Sequence, residues 1–152
     1  MFNENPLDTT TYLMVRIAKA QRGLVSSALS DMNLHIGQER LLMELWQQDG
    51  LTQTELCDRL CIEPPTLTKM LSRLEKTELL EKRRDTEDAR ISRIFLTEKG
   101  YSLQQPITNL WLNLEETILA ELSLEERLLF RRLLIQIYHN LKSANSSWQQ
   151  IY

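Results

Sequence analysis

The sequence predicts a mostly α-helical fold that carries one small antiparallel β-hairpin. Long stretches repeat apolar residues every three to four positions, which is typical of amphipathic helices. Two segments near the middle, LLEKRR and ISRIFL, flank a polar turn, DTEDAR, as two paired strands do. The 152 residues include only four glycines and four prolines, so few positions can interrupt the helices.

The length and composition of the chain favour a single compact domain. A chain of 152 residues, 42% of them hydrophobic, is long enough to bury a core. It has no run of about 18 apolar residues, the length that a membrane helix needs. Its first ten residues, MFNENPLDTT, lack the basic and then apolar pattern of a signal peptide. We therefore expect a cytoplasmic protein without a membrane partner.

Three helices are predicted in the first 61 residues. Apolar residues at helical spacing extend over residues 8–30, and a second helical segment extends from about residue 37 to residue 48. The pair Asp49-Gly50 then predicts a turn. Thr52 and Glu55 have the spacing of a capping box, which predicts a short third helix that ends near Cys61.

The fourth helix is basic on one face. Proline is tolerated only in a first helical turn, so Pro64 and Pro65 end one helix and start the next. Its apolar face comprises Leu67, Met70, Leu71 and Leu74. Its opposite face carries hydroxyls and positive charges, on Thr66, Lys69, Ser72, Arg73 and Lys76. Such a pair of short helices is typical of a helix-turn-helix that reads the major groove of DNA. An ordinary αα-hairpin is the alternative.

The β-hairpin that follows completes a winged helix-turn-helix. In its second strand, Ile94 and Leu96 are expected to point inward, and Arg93 and Phe95 outward. Basic residues beside the turn suit a wing that contacts phosphates or the minor groove. They are Arg83, Arg84, Arg90 and Arg93. The carboxylate of Asp88 is expected to hold the Arg90 guanidinium in one orientation.

Two more helices are predicted after the wing. Thr97 starts a long helix in which Pro106 is expected to cause a kink. Ser123 and Glu126 form a second capping box, which starts the final helix. The apolar positions of these helices are Leu103, Ile107, Leu110, Leu114, Ile118, Leu122, Leu129, Leu133, Ile137 and Leu141. A small winged domain cannot bury all of them, so they predict a homodimer interface formed by both chain ends.

The charge is distributed unevenly along the chain. The net charge is -3, but the segment from Arg59 to Lys99 holds ten Lys or Arg and eight Asp or Glu. This segment therefore has a charge of +2, and the remainder has -5. A locally basic middle is compatible with a polyanionic partner, although an ordinary solvated surface is the alternative.

These segments resemble the multiple antibiotic resistance regulator (MarR) family of bacterial winged-helix repressors. The resemblance is carried by LTQTELCDRL, PPTLTKMLSRLEKTELLEKRRD and DARISRIFLTEKG, and it covers nearly the whole chain. Its most specific part is the order of Asp88, Arg90, Leu96-Thr97 and Gly100. It implies one chain, 1–152, with a winged helix-turn-helix core at 36–97, flanked by N- and C-terminal dimerisation helices at 8–30 and 98–145.

The resemblance also implies a homodimer on a pseudo-palindromic operator in double-stranded DNA. Recognition helices would enter successive major grooves, and wing arginines the flanking minor grooves. Many family members release DNA when a small, often aromatic, molecule binds. The sequence departs from the family pattern at Thr77-Glu78, where a basic residue and a glycine are common, and at Pro65, where a small hydroxyl residue is common.

The residues expected to bind DNA come from both helices of the motif and from the wing. They are Thr52, Gln53, Thr66, Thr68, Lys69, Ser72, Arg73, Lys76, Arg83, Arg84, Asp88, Arg90 and Arg93. Thr52 and Gln53 are expected to bind phosphate at a helix N-terminus. Arg73 has an alternative role, as an ion-pair partner of Glu63, Asp85 or Glu87 within the domain.

Candidate effector residues are an arginine among aromatic side chains: Tyr12, Arg16, Trp46 and Trp111. Core packing is the alternative for them. Cys57 and Cys61 share a helix face, and packing competes there with a redox or soft-metal role. His35 and His139 lack partners at ligand spacing, so neither a metal nor a cofactor is expected.

We therefore predict a sequence-specific DNA-binding transcriptional regulator, a homodimeric repressor that a small aromatic effector releases. The alternatives are a winged-helix protein-interaction module and a redox-sensing regulator acting through Cys57 and Cys61. Catalysis is not expected. Neither histidine stands near a cysteine in the sequence, and the sequence has no phosphate-binding glycine loop or paired catalytic carboxylates.

Overall fold

The computed structural model describes residues 5–148, with side-chain burial to residue 144; the chain ends at 1–4 and 149–152 lie outside it. A short 3-10 helix, Pro6–Asp8, precedes the first α-helix. The elements that follow are α1 (Thr10–Ser30), α2 (Gln38–Gln47), β1 (Leu51–Thr52), α3 (Gln53–Leu60), α4 (Pro64–Lys76), β2 (Leu80–Arg84), β3 (Ser92–Leu96), α5 (Glu98–Ser102), α6 (Gln104–Ile118) and α7 (Leu124–Trp148). The predicted fold class, mostly α with a small antiparallel wing, is confirmed.

The chain divides into two compact units, residues 1–111 and 112–152. The first unit contains the helix-turn-helix and the sheet, and the second contains the end of α6 and all of α7. Within residues 5–148, no helix is both long and apolar enough to cross a membrane.

Both predicted capping boxes are confirmed at helix starts. The Glu55 amide donates to the Thr52 hydroxyl at 3.2 Å, and the Thr52 amide donates to the Glu55 carboxylate at 2.7 Å. Before α7, the Glu126 amide donates to the Ser123 hydroxyl at 3.3 Å, and the Ser123 amide donates to the Glu126 carboxylate at 2.8 Å. Each box satisfies two amides that a helix N-terminus leaves without intrahelical partners, which is why these helices begin where the sequence predicts.

A leucine-rich core holds the helix-turn-helix against the sheet. Fully or almost fully buried side chains come from every element of this region: Leu41, Leu42, Leu45, Leu51, Leu56, Leu67, Leu71, Leu74, Leu80, Ile94 and Leu96. Burial of one leucine side chain contributes about 1.5–3 kcal/mol to the stability of the fold relative to leaving it exposed. These buried side chains therefore hold α4 in one orientation against the sheet. The predicted inward direction of Ile94 and Leu96 is confirmed.

The sheet has three strands, one more than predicted. β3 lies between β1 and β2 and pairs antiparallel with both, with Leu51 opposite Ile94 and Leu80 opposite Leu96. β1 has only two residues, which is too short to produce an alternating pattern in the sequence. The turn before it is held by the Gly50 amide, which donates to the Ile94 carbonyl at 2.9 Å.

The predicted single helix after the wing is wrong. The chain forms a short α5 and a separate α6, with a turn at Leu103 between them. Pro106 is the third residue of α6 and not a mid-helix kink. Proline has no amide hydrogen, and its ring clashes with the carbonyl four residues earlier, so a continuous helix through Ser102 is disfavoured. The predicted series of apolar positions on this helix continued to Leu122, but α6 ends at Ile118.

Candidate DNA-binding surface

The recognition helix α4 turns its predicted basic face to solvent. On its predicted apolar face, Leu67, Leu71 and Leu74 are buried and Met70 is half-buried. The exposed side chains are Thr66, Thr68, Lys69, Ser72, Arg73 and Lys76. The Thr68 hydroxyl donates to the Pro64 carbonyl at 2.9 Å, so that donor is already used within the helix. The two faces predicted from the spacing are confirmed.

The end of α4 directs the chain into the wing through a left-handed residue. Glu78 has φ of +59°, its amide donates to the Glu75 carbonyl at 2.9 Å, and the Leu79 amide donates to the Leu74 carbonyl at 2.9 Å. This bond pair is a Schellman motif, whose left-handed position favours glycine. Glu78, which stands where the family commonly has glycine, therefore keeps the same turn. Its left-handed backbone conformation is less favourable for glutamate than for glycine, because glutamate has a Cβ atom.

Two wing arginines are exposed without side-chain partners among the described residues: Arg84 and Arg90. Arg83 is also exposed, but it is held in place. Its guanidinium pairs with the Glu81 carboxylate, at 2.8 Å from Nε, and lies 4.7 Å from the centroid of the Phe95 ring. Arg84 and Arg90 are thus the wing cations that can bind a polyanion without first breaking an ion pair.

Asp85 holds the wing turn together. Its carboxylate accepts hydrogen bonds from the amides of Glu87, at 2.8 Å, and Asp88, at 3.0 Å, and from the Arg93 guanidinium. The Arg93 hydrogen bond is the main reason that the pKa of Asp85 falls from 3.8 to about 2. The sequence interpretation assigned Asp85 no place in the site, although an aspartate followed by a polar turn is typical of such side-chain-closed turns.

Arg93 is held inside the domain. Besides its ion pair with Asp85, its guanidinium donates to the Gly50 carbonyl at 3.0 Å, and so links the wing turn to the turn before β1. Its side chain is 38% exposed. We therefore treat Arg93 as a residue that positions the wing, and not as a free contact for DNA.

The predicted contact between Asp88 and the Arg90 guanidinium is wrong. The Asp88 carboxylate accepts from the Arg90 backbone amide at 2.9 Å, and the Ile91 amide donates to the Asp88 carbonyl at 2.9 Å. A short side chain reaches an amide two residues ahead more easily than the end of a long side chain. Asp88 therefore fixes the backbone of the wing tip.

At the start of α3, the structure gives Thr52 a capping role. Its hydroxyl accepts from the Glu55 amide and also donates to the Glu55 carboxylate at 2.9 Å. The hydrogen bonds that the Thr52 amide and then the Thr52 hydroxyl donate to the Glu55 carboxylate hold the pKa of Glu55 below its usual value. The neighbouring Gln53 is half-buried and lines a surface cavity. The expected phosphate contact is thus left to the Gln53 side chain and to the amides of this helix end.

Arg73 lies away from the acids proposed as alternative partners. Within the described residues it forms no ion pair with Glu63, Asp85 or Glu87, and Asp85 is paired with Arg93. Arg73 instead lines a cleft of about 510 Å³ with two other cationic side chains, those of Lys19 and Arg22, and with His35. Positive charge therefore extends from α4 toward α1.

The four candidate effector residues lie on three different helices, α1, α2 and α6. Tyr12 and Arg16 are exposed on α1, and the Trp46 Nε1 donates to the Gly100 carbonyl at 3.2 Å. Trp111 does line a cavity, of about 390 Å³, but with Ala18, Lys19, Gln21, Arg22, Val25, Ile36 and Glu39. Trp111 Nε1 is buried without a hydrogen-bond partner in the described structure. Burial raises the pKa of Glu39, which is 2% exposed.

Cys57 and Cys61 are both free thiols at the C-terminal end of α3. Cys57 is half-buried, but Cys61 is exposed, so packing does not account for it. Among residues 5–148, no group of three or more His, Cys, Asp or Glu side chains is placed to hold a metal ion.

A helix-turn-helix, a hairpin with exposed arginines and a basic recognition face together define a winged-helix protein of the DNA-binding class. A sequence model of the MarR family matches residues 34–92. The chain is also similar to the transcriptional regulator AdcR of Streptococcus pyogenes, with 36% identity over 107 residues, 70% of this chain and 69% of that protein. The chain belongs to the MarR family of winged-helix transcription regulators.

Two other relatives extend the comparison. HTH-type transcriptional regulator TtmR of Methylorubrum extorquens is 38% identical over 78 residues, 51% of this chain and 40% of that protein. The chain spans about half the length of the curated relatives that match its central region, 40% in one and 52% in another. The crystal structure of the S. aureus MepR-DNA complex is similar with a TM-score of 0.78 and 27% identity, over 90% of this chain and 99% of that one.

Proposed function

We propose that the chain is a sequence-specific transcriptional repressor that binds a pseudo-palindromic site in double-stranded DNA as a homodimer and is released by a small-molecule effector. The observation that carries this proposal is a surface formed by α4 and the wing, which we call the basic surface: Lys69, Arg73, Lys76, Arg84 and Arg90. All five side chains are exposed, and none has a salt bridge within the described structure. The similarity to a DNA-bound MepR structure supports the same use of this surface.

The two parts of the basic surface have different expected tasks. On α4, the exposed Thr66, Ser72 and Lys69 can reach base edges, which is where sequence is read. On the wing, Arg84 and Arg90 supply positive charge for phosphates or the minor groove, which sets affinity more than sequence choice. A protein-docking module would be expected to expose an apolar recognition face, whereas the apolar residues of α4 are buried.

A homodimer is supported by apolar side chains that each unit leaves exposed. On α1, Leu13, Val15, Ile17 and Leu24 are 49–58% exposed. On α7, Leu124, Leu128, Leu129 and Leu141 are 51–67% exposed. Leu13, Ile17 and Leu24 share one face of α1 by helical spacing, and a second copy can cover apolar side chains that are exposed in this way. We propose that the regions 8–30 and 98–145 form this interface.

The dimer is tested by light scattering on purified full-length protein. Leu129→Glu places a charge on the exposed apolar face of α7 and is expected to shift the mass toward the monomer and weaken binding to a palindromic duplex. Arg131→Glu introduces the same side chain at an exposed position on the opposite side of α7, two residues along the helix, and is expected to leave the dimer intact. A Leu129→Glu protein that remains fully dimeric contradicts this interface.

Release by an effector is supported by the cavity beside Trp111. Its volume of about 390 Å³ is within the range that small-molecule sites occupy. The apolar side chains of Ala18, Val25 and Ile36 suit an aromatic ring, and Lys19 and Arg22 add positive charge. An acceptor atom on the ligand would satisfy the Trp111 Nε1 donor, which has no partner in the described structure.

Repression is tested with a reporter gene placed behind a duplex that the protein selects from random DNA. Expression of the full-length chain is expected to lower reporter output, and Arg90→Ala is expected to restore it. An aromatic acid that occupies the cavity is expected to restore output for the normal chain as well. Higher output on expression of the chain would contradict the repressor assignment and indicate an activator.

A further inference from the structure

The two thiols of α3 can be reached by a single ligand. Cys57 and Cys61 both line a surface cavity of about 670 Å³, together with Gln53, Thr54, Asp58, Ile62, Glu63 and Pro64. Cys61 is exposed and Cys57 is half-buried. The sequence contains no other cysteine, so any thiol chemistry of the chain is confined to this cavity.

The arrangement of the two thiols favours a bridging atom over a direct bond. Cys57 lies within α3, but Cys61 is its left-handed C-cap residue, with φ of +52°, and the Cys61 thiol donates to the Asp58 carbonyl at 3.6 Å. Both thiols are free of a disulfide in this arrangement. The end of α3 is also closed by hydrogen bonds: the Ile62 amide donates to the Cys57 carbonyl at 3.2 Å, and the Cys61 amide donates to the Asp58 carbonyl at 3.4 Å. A direct disulfide would require this turn to open.

The donor set limits which atom can bridge. Structural zinc needs four ligands in a tetrahedron, and no third donor joins the two thiols among the described residues. Soft thiolate ligands select soft atoms, which include monovalent copper. A species that is satisfied by two sulfurs therefore fits this site better than a harder, four-coordinate ion.

We propose that Cys57 and Cys61 bind one thiophilic atom through two sulfurs, either the arsenic of a trivalent organoarsenical or monovalent copper. With phenylarsine oxide, two As–S bonds form and the bonds between arsenic and oxygen break. The two thiol protons leave with the oxide oxygen as one water molecule, so no oxidation state changes. With monovalent copper, each thiol loses a proton to water and both sulfurs coordinate the ion.

The bridge has a consequence for DNA binding, and this part rests on the proposed function. The cavity extends from Gln53 and Thr54, at the start of α3, to Pro64, at the start of α4. A phenyl group on the bridging arsenic would occupy the space beside the helix end that is expected to bind phosphate. We therefore expect the adduct to bind its duplex on the order of tenfold more weakly, a change easily measured in an equilibrium constant.

The first test uses intact mass of the full-length protein after treatment with phenylarsine oxide. The expected product is one adduct per chain in which one phenylarsenic unit replaces two thiol hydrogens. It should survive excess glutathione, a monothiol, and be removed by dithiothreitol, a dithiol, because only a dithiol can replace both As–S bonds at once. Cys57→Ser and Cys61→Ser should each lose this resistance, and exposed Cys61 can be replaced without disturbing the core.

Two outcomes overturn the site: an adduct that glutathione removes, and a single variant that keeps the resistant adduct. Titration with monovalent copper separates the two ligand classes. A one-to-one complex that both single variants lose identifies a metal, and arsenical binding alone identifies an organoarsenical.

The second test measures duplex binding by fluorescence anisotropy before and after adduct formation. Weaker binding that dithiothreitol restores supports the regulatory consequence, and unchanged binding overturns it. Failure of the untreated protein to bind any duplex would instead contradict the proposed function, while the mass result on the thiols would stand by itself.

Discussion

Replacement of Gly100 by alanine tests how the wing is joined to the helices that follow it. A Cβ atom at Gly100 would lie 2.1 Å from the Leu79 carbonyl oxygen and 3.0 Å from Cδ2 of Leu96. The Leu79 carbonyl cannot move freely, because it accepts from the Thr97 amide at 3.2 Å. The glycine that marked the family resemblance is therefore required by a close backbone approach.

The expected loss follows from these contacts. Overpacking costs about 1–3 kcal/mol, and loss of the hydrogen bond to the Leu79 carbonyl about 1 kcal/mol more. We expect Gly100→Ala to lower the free energy of unfolding by about 3 kcal/mol, which corresponds to a fall of roughly 10 °C in Tm for a chain of this size. Urea unfolding at one fixed protein concentration measures it, since dimer unfolding depends on concentration.

Gly23 provides a matched control within the same chain. It lies inside α1, and a Cβ there would meet nothing within 4 Å. Gly23→Ala is expected to raise the free energy of unfolding by about 1 kcal/mol, because alanine has the higher helix propensity. Equal stability of the Gly100→Ala and unmodified proteins would refute the argument, as would equal losses in both variants.

Three further predictions concern the recognition helix and the wing. Glu78→Gly is expected to stabilise the fold by about 0.5–1 kcal/mol in urea unfolding, because glycine removes left-handed strain at φ +59°; a loss would contradict this. Arg90→Ala is expected to weaken specific duplex binding by about 1–3 kcal/mol, with stability unchanged to about 0.5 kcal/mol; unchanged affinity would remove Arg90 from the site. The pKa of Asp85 falls from 3.8 to about 2 in the folded chain, so its stabilising contribution is present above about pH 4 and lost between about pH 4 and 2. Asp85→Asn should therefore be less stable than the unmodified protein at pH 7, with a gap that closes over that window; a gap independent of pH would contradict the role of its charge.

The helices were predictable because their signals are local. The capping boxes at Thr52 and Ser123 and the proline pair at Pro64 determine where helices begin through residues a few positions apart. The two faces of α4 follow from spacing alone, so the sequence is sufficient to identify the exposed residues that α4 contributes to the basic surface. Asp85 was predictable only in part. Its bonds to the Glu87 and Asp88 amides join residues two and three positions apart, but its ion-pair partner Arg93 lies on the opposite strand of the hairpin.

Features that depend on distant parts of the chain could not be predicted. The two residues of β1 acquire a strand conformation only by pairing with Ile94 and Arg93, more than forty positions later. The bond from Arg93 to the Gly50 carbonyl also joins residues more than forty positions apart, and it gives Arg93 a role in supporting the wing. The cavity beside Trp111 combines α1, α2 and α6, so neither Arg22 nor Glu39 carried a sequence signal for it.

The most direct test of the central claim is selection of bound duplexes from a random double-stranded DNA pool, with sequence readout at two salt concentrations. If the basic surface binds DNA as proposed, a pseudo-palindromic motif will be recovered from full-length protein. Affinity for that motif will fall steeply with salt and will be reduced by Arg90→Ala. Absence of any enriched motif, or weak binding that shows no sequence preference and vanishes with salt, would contradict the assignment of this chain as a sequence-specific repressor.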